Sequence, residues 1–205
     1  MSKGRLIALE GPDGSGKTTQ ARRLAEHLKR KGWEVVQVEE PGGTAVGDRI
    51  REILLDRHQR LEPLTELLLY EASRSQLVRE VIRPALKEGR VVIIDRYMLS
   101  SIAYQGYGRK LQLELVKELN RIATGDLEPE LTILFDLPPE EGLSRKRGKD
   151  RLEVENLEFH RRVRQGYLDW ISQNNESSLL IDATQPIEVV FREILNRLEE
   201  IEFDR

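Results

Sequence analysis

The stretch Gly11-Pro-Asp-Gly-Ser-Gly-Lys-Thr18 has the form Gly-x4-Gly-Lys-Thr and stands between an apolar segment and a helical pattern. Before it runs Arg5-Leu-Ile-Ala-Leu-Glu10, suited to a buried strand; after it, residues 19–31 place Ala21, Leu24, Ala25 and Leu28 on one helical face. Strand, loop and helix in that order dictate one local geometry. The glycines let successive backbone N–H groups turn inward on a phosphate, Lys17 reaches the outer phosphates, and the Thr18 hydroxyl is placed to hold Mg²⁺. Gly11, Pro12, Asp13, Gly14, Ser15, Gly16, Lys17, Thr18 and Thr19 are therefore expected to cradle a nucleoside triphosphate.

Apolar, β-branched runs recur at residues 6–9, 35–38, 91–94, 131–137 and 179–181, with helical patterns between them. This is an α/β alternation, which predicts a mostly parallel sheet covered on both faces. Ile187, Val190, Phe191, Ile194, Leu195, Leu198 and Ile201 give a closing helix with a period near 3.6. No repeat or linker divides the 205 residues, a length that suits one domain. Two stretches break the apolar pattern. Pro41-Gly42-Gly43 marks a turn over residues 40–44, and residues 144–151 gather Arg145, Lys146, Arg147, Lys149 and Arg151 in a candidate mobile lid.

The chain has no cysteine, which excludes disulfides, thiolate catalysis and Cys-ligated metal sites and favours an intracellular setting. The 33 basic and 36 acidic residues are mixed along the chain without a basic stripe, so no nucleic-acid partner is expected. No apolar stretch approaches the roughly 20 residues that span a bilayer, so no membrane partner is expected either.

Val91-Val-Ile-Ile-Asp95-Arg96 ends a buried strand in an acid and then a base. Ligands gather at the carboxyl ends of parallel strands, so Asp95 is a candidate to hold Mg²⁺, directly or through water. Arg96 is a candidate phosphate clamp. Ser101, Tyr104 and Gln105 fall on one face of a helix expected just after Arg96, and Tyr70 and Arg74 lie four residues apart, a flat ring beside a guanidinium. A strand-end ion pair and ordinary helix surface would account for each feature alone. The three histidines, His27, His58 and His160, show no metal-ligand spacing.

Taken in order, residues 10–19, Glu40-Pro-Gly-Gly-Thr44, Tyr70-Glu-Ala-Ser-Arg74, Asp95-Arg-Tyr97, Ala103-Tyr-Gln-Gly106 and Asp182-Ala-Thr184 make the chain resemble the thymidylate kinases, in their bacterial form with lid arginines, over essentially its whole length. The resemblance implies a single domain over 1–205 with a three-layer P-loop kinase fold on a five-stranded parallel sheet. Its parts would be the phosphate loop 11–18, an acceptor region at about 39–75 and 95–106, and a lid at about 142–153. It implies transfer of the γ-phosphoryl group of ATP to dTMP with Mg²⁺, in the cytoplasm, by a homodimer. By the same resemblance Asp13 meets the sugar 3′-hydroxyl and Tyr70, where the family usually has Phe, stacks on thymine. Arg74, Ser101 and Gln105 contact the base, Tyr104 lies under the deoxyribose, and Arg96 with Arg51 clamps the dTMP phosphate. Lys17, Arg96, Asp13 and a lid arginine carry the transfer. Gly14 stands where one branch of the family carries its catalytic arginine, so the role passes to the lid, with Arg145 and Arg151 favoured and Arg147 left open.

One position departs from the family pattern. Glu39 stands where bacterial members usually have an arginine on the dTMP phosphate, and a carboxylate there is expected to weaken acceptor binding unless it turns away. Two other readings remain on the sequence: a related kinase with a different acceptor, and a nucleotide-binding switch that needs no acceptor pocket at all.

Overall fold

A computed structural model describes residues 4–145, 150–201 and 203. Strands β1 (Arg5–Glu10), β2 (Val35–Glu39), β3 (Val91–Asp95), β4 (Leu131–Asp136) and β5 (Ser178–Asp182) form one sheet in the order β2-β3-β1-β4-β5. Every pairing is parallel, with Leu9 level with both Asp95 and Ile133, Glu39 with Asp95, and Asp136 with Asp182. The five strands thus end together, and each ends on an acid: Glu10, Glu39, Asp95, Asp136 and Asp182. The connection leaving β1 runs toward one edge of the sheet and that leaving β4 toward the other. A crevice therefore opens between them at the carboxyl end of β1.

The helices are α1 (Lys17–Arg30), α2 (Ala45–Leu55), α3 (Pro63–Leu77), α4 (Arg83–Lys87), α5 (Met98–Ser101), α6 (Leu113–Thr124), α7 (Pro139–Arg145), α8 (Leu157–Ser172) and α9 (Ile187–Glu200). Successive strand residues point to opposite faces, so β1 serves two cores. Ile7 and Leu9 pack with Leu24, Leu28, Ile194 and Leu198 of α1 and α9; Leu6 and Ala8 pack with Leu77, Val78, Ile82 and Ala85 of α3 and the segment after it. A third cluster joins Leu67, Ile102, Val116, Phe159, Val163 and Tyr167 to Leu134 of β4.

Side chains of the expected kind start two helices, as the Thr44 hydroxyl accepts from Gly47 N at 3.0 Å and the Asn156 amide oxygen from Phe159 N at 2.8 Å. The helix expected after Arg96 departs from the sequence reading. It begins as α5 and widens at once into a π-helical stretch over Ile102–Gly108, and a second π turn at Val78–Ile82 continues α3. Such widened turns collect at functional sites. Ser101, Tyr104 and Gln105 still face one cavity.

Candidate active site

The phosphate loop leaves β1 at Glu10 and closes where Lys17 opens α1. Lys17 is buried, and its ammonium turns back to donate to the carbonyl oxygens of Gly11 and Pro12, each at 3.1 Å. Burial, with the charge of Arg96 nearby, pulls its pKa down to about 8. A phosphate oxygen reaching Lys17 would restore the full positive charge. Beside it the Thr18 hydroxyl donates to Asp95 Oδ2 at 2.8 Å, so two oxygen donors from different elements converge.

Arg96 sits at the centre of the crevice with a backbone φ of 69°, a left-handed conformation that a non-glycine residue holds only where its surroundings enforce it. One guanidinium nitrogen donates to Gly11 O at 3.1 Å, Tyr167 OH at 3.2 Å and Ser100 Oγ at 3.3 Å; the other donates to Asp13 at 2.8 Å and Tyr104 OH at 3.3 Å. Tyr104 OH in turn donates to the second oxygen of Asp13 at 3.0 Å, and Arg96 lies 5.0 Å from the Tyr104 ring centroid. Asp13, Arg96 and Tyr104 are thus one unit. Glu10 supports it from behind. Fully buried, it accepts from Tyr97 N at 2.8 Å and from the Ser100 hydroxyl at 2.6 Å, and burial holds its carboxyl above the usual range.

The expected acceptor residues meet on the far side of Arg96. Arg74 is a braced cation: it donates to Glu40 at 2.7 Å, Glu71 at 2.7 Å, Ser101 Oγ at 2.9 Å, Asn120 at 2.5 Å and Tyr97 O at 3.0 Å. Burial works against its charge, but Glu40 and Glu71 outweigh that and raise its pKa. Burial pushes Glu40 up to about 7 against the pull of Arg74. Arg51 donates to Pro41 O at 2.7 Å and pairs with Glu39 at 3.5 Å, so the unexpected acid at the end of β2 faces a cation.

The arginines expected in a lid divide. Arg145 closes α7 and donates to Gly14 O at 3.3 Å and Ala183 O at 3.2 Å, beside the phosphate loop. Helix α7 lies so close to that loop that a Cβ at Gly14 would collide with the Gly142 carbonyl, and one at Gly142 with the Asp13 carbonyl. Arg151 instead donates to Glu66 at 2.5 Å and Leu54 O at 2.9 Å, on α3 and α2, and the structure does not bring it to the loop. Arg147 lies outside the described residues.

A cavity of about 380 Å³ links these parts. Asp13, Lys17, Thr18, Thr19 and Asp95 line one end with Arg145; Arg51, Tyr70, Arg74, Ser101 and Gln105 line the other, with Arg96 and Tyr104 between. Sequence reasoning missed the supporting carboxylates. Glu66 was within reach of it, since Glu66, Tyr70 and Arg74 recur every four residues on one face of α3. Tyr167, in the middle of α8, carries no local signal of its role.

The family model for thymidylate kinase matches residues 9–194. The thymidylate kinase of Caldanaerobacter subterraneus subsp. tengcongensis is 50% identical over 200 residues, covering 97% of this chain and 96% of that protein. That of Deinococcus radiodurans is 52% identical over 197 residues, covering 95% and 96%. The crystal structure of thymidylate kinase from Ehrlichia chaffeensis superposes with a TM-score of 0.79 at 34% identity, covering 96% of this chain and 99% of that one. With the phosphate loop, the crevice and these matches agreeing over nearly its full length, the chain belongs to the thymidylate kinase family.

Proposed function

We propose that this protein transfers the γ-phosphoryl group of ATP to dTMP, giving ADP and dTDP, in the cytoplasm. The observation that carries the reading is the single cavity with a phosphate loop at one end, a ring and buried polar groups at the other, and Arg96 between them. Two nucleotides laid end to end would bring their phosphates together at Arg96.

Phosphoryl transfer asks for position and charge more than for covalent chemistry. The loop N–H groups and Lys17 hold the donor. Arg96 is already oriented by Asp13, Tyr104 and Tyr167, so little reorganisation is needed when charge develops. Asp13, held by Arg96 and Tyr104, faces the cavity where the acceptor sugar would lie, and the Tyr104 ring leaves little room beneath it. The attacking phosphate oxygen is ionised at neutral pH, so no general base is required. Thr18 and Asp95 are hard oxygen donors already 2.8 Å apart, a fit for an ion that draws most of its ligands from phosphate and water. Mg²⁺ held there would supply positive charge at the outer phosphates of the donor.

The lid supplies the remaining cation. With no room for a side chain at Gly14, Arg145 is the arginine best placed to reach the migrating group, whereas Arg151 would first have to leave Glu66. A homodimer is part of the same reading. Exposed Val46 and Ile53 on α2, Leu64 and Leu68 on α3, and Leu115 and Ile122 on α6 form pairs at helical spacing on three helices that pack side by side. Of the run 67–69, Leu67 is core and Leu68 faces out.

Four measurements test the reading. ATP consumption with Mg²⁺ should favour dTMP over dUMP, dCMP, dGMP, AMP, UMP and thymidine; nucleotide binding without turnover of any acceptor would make the protein a switch instead. Arg145→Ala should lower kcat by about 10²- to 10³-fold with little change in KM, and by more than Arg151→Ala does; the reverse order would move the role to Arg151. Glu39→Arg should lower the KM for dTMP by about 2- to 10-fold, since it frees Arg51 and adds a charge at a partly exposed site; an unchanged KM would show that Glu39 does not weaken acceptor binding. In sedimentation experiments the wild type should be a dimer and Leu68→Glu combined with Ile122→Glu a monomer, and a dimer that survives both charges would place the interface elsewhere.

A further inference from the structure

Glu66 lies on α3, and its side chain is wholly removed from solvent. Its two oxygens serve different elements. Oε1 accepts from the Gln105 amide nitrogen at 2.7 Å and from Arg109 Nε at 3.2 Å. Oε2 accepts from Arg109 Nη2 at 3.0 Å and Arg151 Nη1 at 2.5 Å. Burial alone would raise its pKa, but the hydrogen bonds from Arg109 and Gln105 outweigh it and keep the carboxyl ionised. Gln105 is itself buried and lines the acceptor end of the cavity with Tyr70, Arg74 and Ser101.

A side-chain amide has a donor end and an acceptor end of nearly the same shape, and its surroundings decide which end faces a ligand. An ionised carboxylate only accepts. The nitrogen of Gln105 is therefore held against Glu66, and the oxygen is turned away from it. We infer that Glu66 is a specificity-determining positioning residue, which locks the Gln105 amide so that its oxygen is presented to the acceptor base and reads a ring N–H. Thymine and uracil carry a hydrogen at ring position 3. Cytosine carries a lone pair there and would meet the Gln105 oxygen acceptor to acceptor, which in a buried site discriminates by about 10- to 100-fold. The inference deepens the dTMP reading given above and rests on it.

The test is kcat/KM for dTMP and for dCMP with the wild type, Glu66→Gln and Arg109→Gln. Glutamine at 66 offers Gln105 either a donor or an acceptor, which frees the Gln105 amide to turn. The preference for dTMP over dCMP should then fall by about 10- to 100-fold. Arg109→Gln takes one of two cations from the same carboxylate without touching Gln105, and Arg151 still holds it, so it should lower stability and erode the preference less than Glu66→Gln does. A Glu66→Gln protein that loses activity on both substrates in the same proportion would overturn the inference and leave Glu66 a brace. Should that variant not fold, Glu66→Met combined with Arg109→Met removes the carboxylate with one of its cations and poses the same question of the ratio. A wild type without preference between the two substrates would refute the acceptor assignment itself, a result distinct from an unchanged preference in the variants.

Discussion

The site depends on holding a guanidinium, Arg96, in a partly enclosed crevice with its charge still available. Three elements supply oxygens to it: the phosphate loop through Gly11 and Asp13, the helix after β3 through Ser100 and Tyr104, and α8 through Tyr167. Each holds Arg96 in place, and Arg96 in turn holds them at fixed distances. Glu10 completes the arrangement by accepting from Tyr97 N and Ser100, the residues that start the helix carrying Tyr104. A backbone φ of 69° at Arg96 is tolerated because so many contacts fix it.

The sheet poses an electrostatic difficulty that the surrounding residues answer one strand at a time. Five strand ends bring five carboxylates to the edge where polyanions are expected. Glu10 is turned inward onto N–H and O–H donors; Glu39 meets Arg51; Asp95 takes the Thr18 hydroxyl; Asp136 is gripped by Arg164 through two bonds of 2.7 Å; Asp182 accepts from Thr184 and Gln185. Asp95 alone among them takes a neutral hydroxyl from the phosphate loop, which suits a carboxylate that can turn to a metal ion. The same distribution of partners leaves the acid at residue 39 paired with Arg51 on the wall of the cavity.

The fold was legible in the sequence because it rests on short-range patterns. Five apolar runs, a strand-loop-helix motif and a 3.6-residue period at the end of the chain are local signals, and each became the element it suggested. The phosphate loop was legible for the same reason, since Lys17 and Thr18 owe their places to glycines within the same eight residues. The supporting carboxylates were not. Glu40, Glu66 and Glu71 look like helix or turn surface until the sheet and α3 bring them against Arg74, Arg109 and Arg151, and Tyr167 reaches Arg96 across 71 positions of sequence. The widening of the helix after Ser101 leaves no mark in the sequence, because periodicity does not separate an α turn from a π turn over so few residues.

The phosphate loop grows directly from the central strand, whose side chains fill cores on both faces of the sheet. Close packing on both sides leaves β1 no slack. Two elements meet the loop backbone to backbone, β4 at Gly11 through Phe135 and α7 at Gly14 through Gly142. A strand filled on both faces stands behind the loop and a helix is seated against its front, so the backbone that would receive a phosphate is confined between Glu10 and α7.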